Sequence, residues 1–241
     1  MKLSHKIGKI FSREGHLRGL RRLERKLHPL PVRRLLAQVD PARLHEIQSR
    51  YATSTDDREN LLYRKYLSAF DWRLEVNVQR AQDLQLHRSP PLAILDIGCG
   101  GGFFLFVCQR LGHRCLGLDT GEDCLFSDLI ELFQVERKIY KILAFEPLPD
   151  LGSRFDLITA FATGFNVDRQ GRRVWGVDEW NFFLNDLARY LRPSARVFFG
   201  INTGTDGRRY PDKVREFFAR RGAVLERNRV YFPGGSLAPA Q

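Results

Sequence analysis

Alternating hydrophobic and polar segments divide the second half of the chain into strands and helices. From residue 91 onward, short apolar runs of strand length alternate with longer segments of helical periodicity. The predicted strands cover residues 92–96, 115–119, 139–144, 155–161, 195–201 and 223–232, and the predicted helices cover residues 102–111, 123–134, 178–192 and 211–221. Such alternation calls for a parallel sheet that is covered on both faces. We therefore predict an α/β fold with a mostly parallel sheet of six or seven strands.

The pattern before residue 91 is helical instead. Residues 1–50 are predicted to form a basic N-terminal extension, helical or partly disordered, which several prolines break into short pieces. Residues 51–90 are predicted to form a helical cap, mainly one helix over residues 56–84 with apolar side chains four positions apart. We expect this cap to act as a lid over a ligand of the core, which comprises residues 91–241.

Composition limits the chain to one catalytic core. Its 241 residues, 43% of them hydrophobic, suffice for one α/β domain with an appendage. No apolar run approaches the roughly 20 residues that cross a bilayer, and residues 1–30 lack the apolar stretch of a secretory signal, so we expect a cytoplasmic protein. The four cysteines contain no C-x-x-C pair and are expected to be reduced core residues: Cys99, Cys108, Cys115 and Cys124.

The charge of the chain is concentrated at its beginning. Residues 1–34 contain eleven Lys or Arg and two Glu, which give +9 of the formal net charge of +11. Apolar residues recur among them at roughly helical spacing. Such a segment can contact an anionic membrane, here the inner face, or the phosphates of a nucleic acid. The alternative, which the pattern favours, is a partly disordered, solvated arm or a helix packed on its own core.

The most informative stretch is residues 94–102, with the sequence ILDIGCGGG. A short apolar strand runs into Asp96, and glycines then follow at alternate positions, Gly98, Gly100 and Gly102. Because glycine lacks a Cβ, it permits a sharp turn from strand to helix and lets the backbone lie directly against a ligand. A dinucleotide-binding turn would have its third glycine at position 103, where this chain has Phe. The turn therefore favours a nucleoside-shaped ligand other than a dinucleotide.

The turn and Asp119, at the end of the following strand LGLD, resemble the motifs of class I S-adenosylmethionine-dependent methyltransferases. The resemblance extends over residues 92–201 and implies a Rossmann-like three-layer sandwich, with helices on both faces of the sheet and an N-terminal helical extension. It implies S-adenosyl-L-methionine as the cofactor and no metal. The implied cofactor-binding residues are Asp96, Gly98, Cys99, Gly100, Gly102, Asp119, Thr120, Phe145 and Phe161.

The resemblance also assigns parts of the cofactor to these positions. Asp96 and the glycines would line the methionine end, and Asp119 would accept hydrogen bonds from both ribose hydroxyls. The third-strand region lacks the acidic residue that is common there, so adenine would be contacted by the backbone of Phe145 or by Glu146. Phe161, at the end of the fourth strand, would lie near the point of methyl transfer.

The methyl acceptor is less defined. No N-P-P-Y tetrad and no Pro-Cys nucleophile follow the fourth strand, which disfavours base methylation. Asn166 and Asn202 follow the fourth and fifth strands, where parallel-sheet enzymes bind ligands, and Trp175 is less explained by packing. These three are the candidate acceptor contacts, and no catalytic base stands out. We expect methyl transfer to a small-molecule, lipid or glycan-related acceptor, with a nucleic-acid methyltransferase or a non-catalytic cofactor-binding scaffold as alternatives.

Overall fold

A computed structural model describes most of the chain, with gaps near the termini and in three loops. The described residues are 25, 27–166, 174–202, 210–226 and 229–237. The chain divides into two compact units, Met1–Pro90 and Pro91–Gln241. Most of the basic N-terminal segment lies outside the described residues, so the interpretations of its structure stay predictions.

The described residues of the N-terminal unit form mainly helices. They are α1 (Val32–Leu36), α2 (Pro41–Ala52), α3 (Asp57–Leu62), α4 (Phe70–Asp83) and a 3-10 turn (Leu86–Arg88). The Asp40 carboxylate begins α2 by accepting hydrogen bonds from the backbone N–H groups of Ala42, at 2.9 Å, and Arg43, at 3.2 Å. Pro41 occupies the first helical position, where no backbone N–H is needed.

The single helix predicted over residues 56–84 is interrupted in the structure. A π-helical turn at Tyr63–Leu67 separates α3 from α4. The Arg73 side chain bridges this break, because its Nε donates a hydrogen bond to the Lys65 carbonyl at 2.5 Å and its guanidinium lies 4.9 Å from the centre of the Tyr66 ring. A periodic apolar pattern carries no information about such side-chain contacts, so the sequence did not reveal the break.

The C-terminal unit alternates strands and helices. The strands are β1 (Ala93–Ile97), β2 (Arg114–Asp119), β3 (Arg137–Ile139), β4 (Phe155–Thr163), β5 (Leu191–Ile201), β6 (Val224–Glu226) and β7 (Arg229–Phe232). The helices are α5 (Phe103–Arg110), α6 (Cys124–Phe133), α7 (Val177–Ala188) and α8 (Asp212–Arg220). Within the described ranges of both units, no helix is long and apolar enough to cross a membrane.

The seven strands form one sheet in the order β3-β2-β1-β4-β5-β7-β6. Strands β1 to β5 are parallel, and β7 is antiparallel to both β5 and β6. The prediction of a mostly parallel sheet is confirmed, with seven strands. The strand order reverses between β1 and β4, and open α/β sheets bind ligands beside such a reversal, at the carboxyl ends of the strands.

Two predicted strands need correction. The third strand ends at Ile139 rather than at residue 144, because residues 140–152 leave the sheet as a loop. Ile142, an apolar residue of the predicted strand, is buried in the core from this loop, as is Leu148 further along it. The last predicted strand, residues 223–232, is two short antiparallel strands, β6 and β7.

Both faces of the sheet are covered, as predicted. Leu95 of β1 and Ala160 of β4 belong to one core cluster together with Trp180 of α7. Successive side chains of a strand point to opposite faces, so Phe161 lies on the other face. There its ring contacts Phe104 of α5, with ring centres 4.8 Å apart. The sheet is therefore the middle layer of a three-layer arrangement.

Candidate functional site

The glycine turn between β1 and α5 has the backbone conformation expected from its sequence. Gly98, Gly100 and Gly102 have φ values of 67°, 53° and 77°, a region that favours glycine. The Gly98 N–H donates a hydrogen bond to the Leu118 carbonyl at 2.7 Å, which ties the turn to β2. Gly98 and Gly100 are half-buried, but a Cβ on the buried Gly102 would lie 2.8 Å from Ile130 Cδ1. The first two glycines can therefore meet a ligand, and the third packs against α6.

Asp119, at the end of β2, reaches across to this turn. Its Oδ2 accepts a hydrogen bond from the Gly100 N–H at 2.8 Å, and its Oδ1 accepts one from the Thr120 N–H at 2.8 Å. A carboxylate has about four lone-pair sites, so each oxygen keeps capacity for one further donor. Asp119 is half-buried at the mouth of the turn. It can accept hydrogen bonds from two adjacent hydroxyl groups, such as those of a ribose.

Asp96 lies deeper, with 3% of its surface exposed. Its position in β1 is paired with Thr159 of β4, which is fully buried. The Thr159 hydroxyl donates a hydrogen bond to Asp96 Oδ1 at 2.7 Å. Sequence reasoning missed Thr159. The available signal was one hydroxyl residue within the otherwise apolar end of the strand FDLITAF, and it became meaningful only once the register of β1 against β4 was known.

Cys99, between the first two glycines, offers only its backbone to a ligand. Its side chain is 9% exposed, and burial, followed by the charges of Asp96 and Asp119, raises the pKa of the thiol well above its usual range. Cys108 is also buried, but Cys124 is exposed, which corrects the expectation that all four cysteines are core residues.

Phe145 lies in the loop that follows β3. Its φ is 62°, unfavourable for a bulky residue, and 55% of its surface is exposed. The loop is anchored on the C-terminal side, where the Tyr190 hydroxyl donates to the Pro149 carbonyl at 2.9 Å and the Leu148 N–H donates to the Asp186 carboxylate at 2.7 Å. Strained residues held by firm anchors occur often at binding sites. The predicted contact between Phe145 and adenine stays a prediction.

Phe161 lies at the carboxyl end of β4, as expected from the sequence. It is half-buried, and its ring centre lies 4.8 Å from that of Phe104 and 5.2 Å from that of Phe198. The three rings form an apolar wall at this end of the sheet. Such a wall can exclude water from a neighbouring ligand.

The three candidate acceptor contacts lie in different environments. Trp175 is 2% exposed and packs against Phe165 and Trp180, with ring centres 5.5 and 5.4 Å away, so core packing accounts for its ring. Asn166 is 5% exposed, and its backbone carbonyl accepts a hydrogen bond from the backbone N–H of Trp175 at 2.9 Å. Asn202 is exposed directly after β5. Contact of these residues with an acceptor stays a prediction.

The groups at the carboxyl ends of β1 and β2 can bind a nucleoside. Asp96, Gly100, Asp119 and Thr120 come together at the carboxyl ends of β1 and β2, and they offer carboxylate oxygens and backbone N–H groups. These groups fit a nucleoside that carries a ribose diol and a charged amino group. In the parts of the chain that the structure describes, no cluster of three or more His, Cys, Asp or Glu could hold a metal ion.

Comparison with known proteins identifies the domain that carries these groups. A family model described as a methyltransferase domain matches residues 95–199, which contain the glycine turn, Asp119 and Phe161. Residues 95–199 form a class I S-adenosylmethionine-dependent methyltransferase domain. The resemblance inferred from the sequence is confirmed. The fold of this methyltransferase domain is also that of DesVI from Streptomyces venezuelae, with a TM-score of 0.54 at 14% identity, covering 78% of this chain and 100% of that one.

Curated relatives match the methyltransferase domain only in part of their length. A ubiquinone biosynthesis O-methyltransferase of Bartonella tribocorum is 32% identical over 108 residues, which are 44% of this chain and 40% of that protein. A tRNA U34 carboxymethyltransferase of Campylobacter hominis is 39% identical over 67 residues, 27% of this chain and 24% of that protein. The similarity thus spans less than half of these relatives.

Proposed function

We propose that this protein binds S-adenosylmethionine at the carboxyl ends of β1 and β2 and catalyses methyl transfer. The observation that carries this proposal is the joining of Asp119 to the glycine turn through the Gly100 N–H, at 2.8 Å. It brings a carboxylate with spare acceptor capacity beside a turn whose glycines have positive φ. A nucleoside requires both features, one for its ribose and one for close approach to the backbone.

The residues of the chain have binding and positioning tasks in this proposal. Bound S-adenosylmethionine supplies a methyl group that is already activated by a sulfonium. Asp119 accepts hydrogen bonds from the ribose hydroxyls, and Asp96 provides negative charge for the ammonium group. Phe161 and its two aromatic neighbours keep water away from the carboxyl end of β4. Because orientation and exclusion of water can supply much of the rate, a dedicated base is not required.

The proposed acceptor is a small molecule or lipid that is methylated on oxygen. Similarity to the ubiquinone biosynthesis O-methyltransferase of Bartonella tribocorum supports this choice. A glycan-related acceptor is the nearest alternative within the small-molecule class. An RNA acceptor has the Campylobacter hominis relative in its favour, but over a shorter stretch of 67 residues. Incubation with labelled cofactor, followed by separate extraction of lipids, small molecules and RNA, distinguishes these acceptors by the fraction that gains the methyl group.

Isothermal titration calorimetry tests the cofactor assignment. We expect the protein to bind S-adenosylmethionine and its demethylated product, and not NAD. Asp119→Asn should weaken this binding by about tenfold to a hundredfold, because a hydrogen bond to a charged group contributes about 1.5–3 kcal/mol. Glu122→Gln is the matched control, since Glu122 is an exposed acid three positions further on that pairs with Lys141 at 3.2 Å. Binding of NAD instead, or equal affinities for the two variants, would reject the proposal.

The basic N-terminal segment is proposed to hold the protein peripherally at the inner, anionic membrane surface of the cytoplasm. Its excess of Lys and Arg within residues 1–34 supports this partner. Flotation with vesicles of mixed zwitterionic and anionic lipid should recover the full chain, and replacement of the Lys and Arg within residues 1–24 by Gln should abolish flotation. If the segment instead contacts nucleic acid, the full chain will bind RNA with a steep salt dependence and will not float.

A further inference from the structure

Thr159 occupies a position that the cofactor assignment does not yet explain. It is fully buried in β4, and β4 is the strand next to β1 at the point where the strand order reverses. In the parallel register, Thr159 lies directly opposite Asp96. The side chains on either side of Thr159, from Leu157 to Phe161, are apolar, and the acid of this strand, Asp156, lies near its other end. One hydroxyl is thus present beside the one carboxylate of β1.

The direction of the Thr159 hydrogen bond follows from the distances. A hydroxyl carries a single hydrogen, and two acceptors lie near the Thr159 oxygen: Asp96 Oδ1 at 2.7 Å and the Leu95 carbonyl at 3.4 Å. The shorter distance is typical of O–H···O bonds, whereas the longer one exceeds their usual range. A carboxylate is also the stronger acceptor. The hydrogen therefore belongs to the bond with Asp96.

This bond fixes the orientation of a carboxylate that has little contact with water. Asp96 is 3% exposed, so water cannot replace a missing donor without opening the structure. A buried carboxylate that loses a hydrogen bond either changes its rotamer or becomes easier to protonate. Both changes reduce the negative charge that it can present in one defined direction. The geometry points to Thr159 as a positioning residue that holds Asp96 ready for the ammonium group of the cofactor's methionine end.

The inference rests on the proposed binding of S-adenosylmethionine. A comparison of two ligands distinguishes failure of the inference from failure of the proposed function. 5′-Methylthioadenosine shares the adenosine part of the cofactor but lacks the amino-acid part. For Thr159→Val, which has nearly the same shape but no hydroxyl, we expect the dissociation constant for S-adenosylmethionine to rise about tenfold. The dissociation constant for 5′-methylthioadenosine should not change. Thr159→Ser, which keeps the hydroxyl, should bind both ligands like the natural protein.

A double-mutant cycle tests whether Thr159 acts through Asp96. In an Asp96→Asn background, Thr159→Val should cause no further loss of S-adenosylmethionine binding. If Thr159→Val does not fold, Thr159→Ala replaces it in the same comparison, because it also removes the hydroxyl.

If Thr159→Val weakens the binding of both ligands equally, Thr159 has a general structural role and the inference is overturned. Unchanged binding of both ligands would also overturn it. Failure of the natural protein to bind either ligand would reject the proposed function itself.

Discussion

Substitution of Gly102 tests the account of the turn in which one glycine packs against α6. Gly102 immediately precedes α5, and Gly112 follows the end of the same helix, so the two positions form a matched pair. Both have positive φ, 77° and 89°. A Cβ at position 102 would lie 2.8 Å from Ile130 Cδ1 and 3.5 Å from Val135 Cγ2, whereas a Cβ at position 112 would have nothing within 4 Å. Alanine at either site therefore introduces backbone strain, but only alanine at 102 introduces a clash.

The expected changes in the free energy of unfolding follow from the backbone strain at both positions and the clash at position 102. An L-residue in the left-handed region costs about 1–2 kcal/mol, and reduced freedom of the unfolded chain offsets about 0.4–1 kcal/mol of this. Gly112→Ala should therefore lower the free energy of unfolding by about 1 kcal/mol. Overpacking of a buried site adds about 1–3 kcal/mol. The clashing atom, Ile130 Cδ1, is the end of a flexible side chain of a buried residue, so the lower end of this range applies and Gly102→Ala should lower the free energy of unfolding by about 2 kcal/mol in total.

Tryptophan fluorescence during urea unfolding measures this difference in the C-terminal unit alone. The chain has three tryptophans, of which Trp72 lies in the N-terminal unit. In a Trp72→Phe background, the emission reports Trp175 and Trp180, which are 2% and 0% exposed. The denaturant slope should be the same for both glycine variants, so the midpoints compare stability directly. Equal midpoints for Gly102→Ala and Gly112→Ala would refute the role of Gly102 in packing against α6.

Further predictions concern the cysteines. Iodoacetamide should modify the exposed Cys124 first, whereas Cys99 and Cys108 should react only on unfolding, as peptide mass spectrometry of timed samples can determine. Burial raises the pKa of the Cys99 and Cys108 thiols above their usual value of 9.0, so the fold favours the neutral thiols. This stabilisation is complete below pH 9 and is lost as the pH rises toward the folded-state values, so the free energy of unfolding should fall above about pH 9. Cys108→Ala should make that fall shallower. An identical fall in this variant and the natural protein would contradict the raised pKa of Cys108.

The clustering of the proposed cofactor residues was predictable because they are connected by one short unit of chain. Gly98 and Gly100 were identified from the steric freedom that a strand-to-helix turn needs, and their φ values have the expected sign. Asp119 was identified from its place at the end of the next strand. Its exact partner, the Gly100 N–H, was not predicted, since a sequence does not give the distance between a carboxylate and one particular amide.

The packing of Trp175 was not evident from the sequence. The apolar stripe of the following helix accounted for other residues, and Trp175, which precedes α7, had no evident partner. In the structure its partners come from two directions: Phe165 after β4, and Trp180 and Phe183 within α7. Helical periodicity describes one helix face and cannot describe a residue that packs from outside the helix. The exposure of Cys124 was missed for a similar reason, since apolar composition does not specify which face of α6 is buried.

Strand register explains why Asp119 could be inferred and Thr159 could not. Strands β1 and β2 pair so that Ile97 lies opposite Leu118, and the next residues along the two strands are therefore Gly98 and Asp119. The connection between the two strands is short: residues 98–113 contain only the glycine turn and one short helix. The spacing between the glycines and Asp119 along the sequence therefore indicates that they lie side by side in the sheet. Thr159 lies 63 positions from Asp96, with two helices, two strands and the loop of Phe145 between them. An insertion or deletion in those segments would change the number of residues between Asp96 and Thr159 without breaking their contact. Only the folded sheet therefore reveals that the two side chains are hydrogen-bonded.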